Sequence, residues 1–160
     1  MTRFFLSLGS NLGDRAASLA VARARISAEF PGARFSPLYE TEPVGRKDQP
    51  WFLNQGVEAR SDRDPESLLQ WARSLEADLG RTRDVPKGPR TLDVDILLCG
   101  DRVIDRPSLT LPHPRLLERR FVLVPLFDLD PDLKVPPLGI TVSDALRRLS
   151  DVPVVRPFSR

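Results

Sequence analysis

Residues 88–98 read Gly-Pro-Arg-Thr-Leu-Asp-Val-Asp-Ile-Leu-Leu, and they contain the strand on which the predicted fold depends. Strand alternation sends successive side chains to opposite faces. One predicted face is apolar and holds Leu92, Val94, Ile96 and Leu98. The other face begins with Asp93 and Asp95 and becomes apolar at Leu97 and Cys99. Because Asp is depleted in strands, a polar patch confined to the strand's beginning indicates a site that opens at the end of a sheet.

The segments that precede this strand predict a ferredoxin-like domain. Short apolar runs predict three more strands, at Phe4–Leu8, Phe35–Thr41 and Phe52–Ala59. Apolar residues at helical spacing predict one helix after an Asp14 cap and another after an Asp64 cap with Pro65 in its first turn. The order β-α-β-β-α-β is typical of an α+β domain with two helices packed on an antiparallel sheet.

The rest of the chain predicts C-terminal additions to this domain. A Pro-rich stretch leads to a helix over Arg120–Leu126, and Thr141 with Asp144 forms a capping box for a final helix. No internal repeat or linker interrupts the sequence, so we expect residues 1–160 to form a single domain.

Composition narrows the class of protein. A hydrophobic fraction of 41% and a charged fraction of 29% indicate a globular chain. No apolar run approaches the roughly 18 residues that span a bilayer, and the N-terminus lacks the pattern of a signal peptide. Cys99 is the only cysteine, which excludes a disulfide within one chain. These features fit the cytoplasm, and the many arginines suit an anionic small molecule or, as a rival, nucleic acid. We expect a monomer whose partners are small molecules rather than a membrane or nucleic acid.

The paired aspartates suggest a magnesium site. Residues two apart on a strand are separated by roughly 6–7 Å, which suits carboxylates flanking two Mg²⁺ ions. Mg²⁺ prefers a few carboxylates together with substrate phosphates. Basic residues that suit a phosphate surround the pair in sequence: Arg81, Arg83, Lys87, Arg90, Arg115, Arg119 and Arg120. The alternatives are a half-exposed strand with a polar face and solvated surface arginines.

Two further features allow more than one interpretation. His113 is the only histidine and lies between Pro112 and Pro114, where it is either a packed loop residue or a neutral donor to a phosphate oxygen. The turn Gly9-Ser10-Asn11-Leu12-Gly13 is interpreted as structural, because no Gly-Lys-Ser/Thr follows it as in a Walker A loop.

Several motifs occur together over nearly the whole chain. They are Gly9–Gly13, Tyr39-Glu40-Thr41-Glu42-Pro43, Phe52-Leu53-Asn54-Gln55, Gly80-Arg81-Thr82-Arg83, Gly88–Asp95, Leu111-Pro112-His113-Pro114 and Arg119–Phe121. In this order they resemble the 6-hydroxymethyl-7,8-dihydropterin pyrophosphokinase family. The resemblance implies ATP and two Mg²⁺ ions, with AMP and a pterin pyrophosphate as products of a step in folate biosynthesis.

The resemblance also implies roles for individual residues on the ATP side. Asp93 and Asp95 correspond to the ligands of both metal ions and, with Arg81, Arg83 and Arg90, to the catalytic residues. Arg81, Arg90, His113 and Arg119 correspond to contacts with the nucleotide phosphates. The adenosine side corresponds to Ile96 and Thr110, and Glu76 to a supporting carboxylate.

On the pterin side, the resemblance matches the ring's chemistry. Phe52 and Phe121 correspond to two aromatic rings that sandwich the flat pterin, although core packing is the simpler interpretation of each. Asn54 offers both a donor and an acceptor to the ring edge. The backbone at Thr41, Glu42 and Val44 and the carboxylate of Asp93 complete the implied pterin contacts.

Two other functions fit parts of the pattern. A similar sheet with basic and aromatic residues is found in RNA-binding modules, but the third strand lacks their aromatic-rich basic signature. A metal-dependent phosphohydrolase would use the same aspartate pair.

Overall fold

The computed structural model describes residues 1–43, 45, 48–80 and 91–159. Its strands are β1 Thr2–Ser10, β2 Arg34–Phe35, β3 Tyr39–Thr41, β4 Phe52–Ser61, β5 Asp93–Cys99, β6 Ile104–Asp105, β7 Thr110–Leu111, β8 Lys134–Val135, β9 Ile140–Thr141 and β10 Val155–Pro157. Its α-helices are α1 Arg15–Glu29, α2 Pro65–Asp78, α3 Arg120–Leu129 and α4 Val142–Arg147, and residues Leu116–Glu118 form a 3₁₀ turn.

An antiparallel sheet organises the described part of the chain. Its strand order is β10-β3-β4-β1-β5, and β2 also pairs with β4. β1 lies between β4 and β5 and is antiparallel to both. This arrangement confirms the predicted ferredoxin-like fold, in which the first strand is central.

The helices begin where the capping residues predict. The carboxylates of Asp14 and Asp64 accept the backbone N–H groups of Ala17 and Ser67 at 3.0 and 2.9 Å. Such caps satisfy amide groups that have no partner inside the helix. The predicted third helix is longer than expected, because it continues past Pro125 to Leu129.

The sheet has a hydrophobic core on each face. The helix-side core lies against α1 and α2 and includes Phe4, Leu6 and Leu8 of β1. The tail-side core includes Phe5 and residues of α3 and α4. On this face a Cβ on Gly56 would lie 3.0 Å from the Pro125 side chain, so α3 packs directly on β4. The C-terminal additions therefore cover the second face of the sheet.

The register of β5 corrects one predicted face. Leu6 pairs with Ile96 and Phe5 with Leu98, so Leu97 is an extra residue in β5. Such a bulge changes the phase of strand alternation. Leu98 consequently lies in the tail-side core rather than beside Val94, and Cys99 lies in the helix-side core.

The predicted second strand is also divided. β2 ends at Phe35 and β3 begins at Tyr39, with Ser36, Pro37 and Leu38 between them. Ser36 binds β4 by another route: its hydroxyl accepts the N–H of Gly56 at 2.9 Å and its carbonyl accepts Gln55 Nε2 at 2.7 Å. Pro37 has no N–H to continue a ladder.

Candidate active site

A cleft opens where four strands of the sheet end. It contains about 800 Å³ of non-protein space, part of it open to solvent. Strand residues form its floor and a segment after β7 forms one wall. The lining residues are Ser7, Gly9, Thr41, Glu42, Gln49, Phe52, Asn54, Asp93, Asp95, Arg115, Arg119 and Phe121.

The paired aspartates lie side by side in this cleft. Asp93 pairs in register with Gly9 and Asp95 with Ser7, so both follow the central strand β1. Val94 between them is buried in the helix-side core, while both aspartates remain partly exposed. The predicted shared face is therefore present at the beginning of β5, before the bulge changes the alternation.

Arg119 brings positive charge to the same place. Burial lowers the pKa of its guanidinium, and the Asp95 and Asp93 carboxylates oppose that change. The guanidinium carbon lies 5.5 Å from the centre of the Phe121 ring. Arg119 thus connects the acidic pair with an aromatic wall of the cleft.

His113 lies next to Arg115 and Arg119, which form the basic wall of the cleft. Its backbone N–H donates to the Leu97 carbonyl at 2.8 Å, which attaches the loop to β5. Its Nδ1 accepts the backbone N–H of Arg115 at 3.2 Å, so the neutral ring carries its proton on Nε2. Burial, followed by the charges of Arg119 and Arg115, lowers the pKa of His113. The ring is therefore a neutral donor.

Glu76 contacts the backbone of β5, the strand that carries both aspartates. Its side chain is buried, and Oε2 accepts the backbone N–H of Val94 at 2.9 Å. This carboxylate of α2 fixes the backbone between the two aspartates. Glu76 is therefore not an exposed residue on the surface of α2.

Ile96 and Thr110 lie beside the cleft rather than in its wall. The Ile96 side chain packs in the helix-side core at 5% exposure, so any contact with a nucleotide would come from its backbone. The N–H of Val94 points away from β1 toward Glu76, and residues two apart on a strand direct their amides to the same edge. Thr110 lies in β7, which packs against β5.

The opposite wall is built around Asn54. The Thr41 hydroxyl donates to Asn54 Oδ1 at 2.8 Å, and both side chains are buried. A Cβ on Gly9 would lie 3.4 Å from Asn54 Nδ2 and 3.5 Å from the Phe52 ring. Gly9 therefore lets these two side chains approach the floor of the cleft.

Glu42 has a role that the sequence did not predict. Its backbone N–H donates to the Val154 carbonyl and its Oε1 accepts the Val154 N–H, each at 3.0 Å. The residue lines the cleft while its carboxylate holds the C-terminal segment.

Four predicted site residues, Val44, Arg81, Arg83 and Arg90, lie outside the described residues. Three lining residues were not predicted as contacts. Ser7 was detectable as the polar residue of an otherwise apolar strand, whereas Gly9 was interpreted as part of a structural turn. No comparable signal in the sequence indicated Gln49. Its Oε1 accepts a hydrogen bond from Asn11 Nδ2 at 2.9 Å, and the two residues are far apart in the sequence.

The fold and this cleft define an α+β enzyme domain in which paired carboxylates face arginines at one end of a ferredoxin-like sheet. A family model described as 7,8-dihydro-6-hydroxymethylpterin-pyrophosphokinase (HPPK) matches residues 5–131, and the chain belongs to this family.

Some relatives match this chain over most of their own length, and others over only a part of it. The chain is 45% identical over 152 residues to a 2-amino-4-hydroxy-6-hydroxymethyldihydropteridine pyrophosphokinase of Methylorubrum extorquens, covering 93% of this chain and 94% of that one. A Bacillus subtilis protein of the same name is 46% identical over 127 residues, covering 78% and 76%. The folic acid synthesis protein fol1 of Pneumocystis carinii is 39% identical over 157 residues, which are 96% of this chain but only 21% of that protein.

The fold also matches solved structures. Plasmodium falciparum HPPK-DHPS superposes with a TM-score of 0.75 at 16% identity, over 92% of this chain and 45% of that one. The present chain thus spans less than half of that polypeptide. Among the described helices, none has the length and apolarity that a membrane crossing requires.

Proposed function

We propose that this protein transfers the pyrophosphoryl group of ATP to the hydroxymethyl group of 6-hydroxymethyl-7,8-dihydropterin. The products are AMP and the pterin pyrophosphate, in a step of folate biosynthesis. The observation that carries the proposal is the position of Asp93 and Asp95 in one cleft between Arg119 and the Phe52–Asn54 wall. Family membership and relatives of nearly equal length support the same reaction.

The donor set fits Mg²⁺ that arrives with a nucleotide. Among the described residues, no three His, Cys, Asp or Glu side chains form a complete metal cage. Two adjacent carboxylates are instead the arrangement that Mg²⁺ uses when phosphates supply further ligands. Asp93 and Asp95 would hold two Mg²⁺ ions, which when bound neutralise phosphate charge and acidify the attacking hydroxyl.

The basic wall would bind the triphosphate. The charge of Arg119 interacts with both aspartates. Arg119 would therefore lie close to a phosphate held by metal ions on these aspartates. His113 presents a neutral N–H, which donates to a phosphate oxygen without having to lose a proton. We include Arg81, Arg83 and Arg90 as further phosphate contacts on the basis of the family motif. Charge stabilisation of this kind dominates phosphoryl transfer.

The adenosine would lie along the outer edge of β5. The Val94 N–H points to that edge, and the Ile96 N–H and carbonyl point to the same edge because Ile96 is two residues further along the strand. A backbone donor and acceptor on one residue suit the edge of a purine ring. Thr110 on the adjacent β7 and the buried carboxylate of Glu76 complete this side.

The pterin would bind between the wall around Asn54 and the Phe121 ring on the Arg119 side. Phe52 and Phe121 line the cleft and offer ring faces for stacking. The bond from Thr41 fixes Asn54 Oδ1, which orients the Asn54 amide nitrogen as a donor beside Gly9. Thr41, Glu42 and Val44 would meet the ring edge through their backbone, with Asp93 next to the hydroxymethyl group.

Product analysis tests the reaction. The protein is incubated with Mg-ATP and the reduced hydroxymethylpterin, and nucleotides are separated by chromatography. We expect AMP in equal amounts with pterin pyrophosphate, and no turnover in the presence of EDTA. ADP as the product would identify an ordinary kinase, and phosphate release without pterin would identify a phosphohydrolase.

RNA binding has weaker support in the fold. RNA-recognition sheets stack bases on an open face, whereas α3 packs directly on β4 here. A gel-shift assay with single-stranded RNA checks this alternative, and we expect no shift.

A further inference from the structure

The C-terminal strand covers the outer edge of the short strand that carries Thr41. β3 has three residues, and β10 pairs with it through Val155–Thr41 and Arg156–Glu40. The reciprocal bonds between Glu42 and Val154 extend this pairing to the cleft. The wall around Thr41 and Glu42 is thus held from outside by residues 154–157.

Glu40 is the centre of this attachment. Its Oε2 accepts Arg15 at 2.8 Å, and its Oε1 accepts Arg156 Nε at 3.1 Å and a terminal nitrogen of Arg156 at 2.7 Å. The hydrogen bond from Arg156, followed by that from Arg15, lowers the pKa of Glu40 against the opposing effect of burial. One carboxylate therefore joins α1, β3 and β10.

The same two arginines hold the residue before Phe52. Arg15 donates to the Trp51 carbonyl at 2.9 Å. The Arg156 guanidinium lies 4.4 Å from the centre of the Trp51 ring, within the range of a cation–π contact. Neither arginine lines the cleft among the described residues, so an effect of either on Phe52 would have to pass through Trp51.

We propose that Arg156, acting through Glu40 and Trp51, is a positioning residue for the pterin end of the cleft. This inference rests on the proposed function. If the wall adopts its binding geometry for only a fraction of the time, the apparent affinity for pterin falls by that fraction. The acidic pair belongs to β5 at the opposite edge of the sheet, so the ATP end is unaffected.

The variant Arg156→Ala tests the inference by separating the two substrates. We expect the KM for pterin to rise roughly three- to tenfold, while kcat and the KM for ATP change less than twofold. Arg156→Lys keeps one charged donor for Glu40 but loses the planar stack on Trp51, so its KM for pterin should be intermediate. Arg25→Ala is the matched control, since it removes another exposed arginine bound to one carboxylate, Asp78, at 2.9 Å.

Melting temperatures are measured for all variants to separate positioning from stability. An unchanged KM for pterin in folded Arg156→Ala overturns the inference, as does an equal loss for both substrates that follows the melting temperature. If Arg156→Ala does not fold, the same comparison is made with Arg156→Lys. A wild-type protein that forms no AMP overturns the proposed function, whereas an active wild type with unaltered variants overturns the positioning role alone.

Discussion

Gly9 lies directly opposite Asp93 in the sheet, and a Cβ built on it would be 3.9 Å from the Asp93 Cβ. The same Cβ would contact Asn54 and Phe52 from the wall opposite Arg119. One missing side chain in β1 therefore leaves room where the two halves of the cleft meet.

Filling this space should block the substrate before it unfolds the protein. A single Cβ at 3.4–3.9 Å makes ordinary contacts, so we expect Gly9→Ala to fold and keep measurable activity. Gly9→Val places an isopropyl group on the floor, two methyl groups more than alanine, and should reduce kcat/KM for pterin by about 100-fold, since small misplacements at a reacting centre have effects of this size. Steady-state kinetics and calorimetric titration with pterin measure the difference. Equal activity of Gly9→Val and wild type would contradict this placement of the floor.

Loss of one carboxylate should stop the reaction without loss of the fold. We expect Asp95→Ala to lower kcat by at least about 100-fold, the effect typical of removing one group that stabilises transition-state charge. AMP formation and circular dichroism are measured on the same preparation. Asp101→Asn is the control, because Asp101 is exposed at the turn after β5. Full activity of Asp95→Ala would exclude the metal assignment.

Glu76 should contribute to stability as well as to the site. Removing its carboxylate in Glu76→Ala takes the acceptor from the Val94 N–H in a buried position, at a cost of about 1–3 kcal/mol in the free energy of unfolding. Glu66→Ala on the same helix removes a carboxylate that is bound to Ser108 and paired with Arg106 at the surface, and should cost about 1 kcal/mol or less. Urea denaturation compares the two variants. A smaller loss for Glu76→Ala than for Glu66→Ala would contradict the buried role.

The single histidine gives a direct measure of electrostatics in the site. Burial and the neighbouring arginines lower the pKa of His113 below its ordinary 6.5, and loss of the Arg119 charge in Arg119→Ala should raise it. In the wild-type protein, the unfolded chain binds the His113 proton more tightly than the folded protein does. The free energy of unfolding should therefore fall as the pH decreases from about 6.5 through the lower folded pKa. NMR titration of the imidazole protons measures both pKa values. A folded pKa above 6.5, or no change in Arg119→Ala, would contradict the arrangement.

Much of the fold could be predicted because its signals are local. The caps Asp14 and Asp64 and the apolar periodicity of the two helices depend on residues a few positions apart. The faces of Asp93 and Asp95 follow from alternation, which holds until the bulge at Leu97. The bulge itself had no local signal, because Leu97, Leu98 and Cys99 are all apolar and fit either face.

The sequence by itself determined the order of elements, the acidic pair on one side of β5 and the family whose motifs it carries. Only the tertiary structure decided that Glu76 is buried under Val94, that Gln49 is held by Asn11, and that Arg156 reaches Glu40 across the chain. The physical reason is that propensity and periodicity act between near neighbours, whereas these contacts form only after the sheet brings distant segments together. The wall around Thr41 and Glu42 is therefore held by residues 154–157, which no motif connects to it.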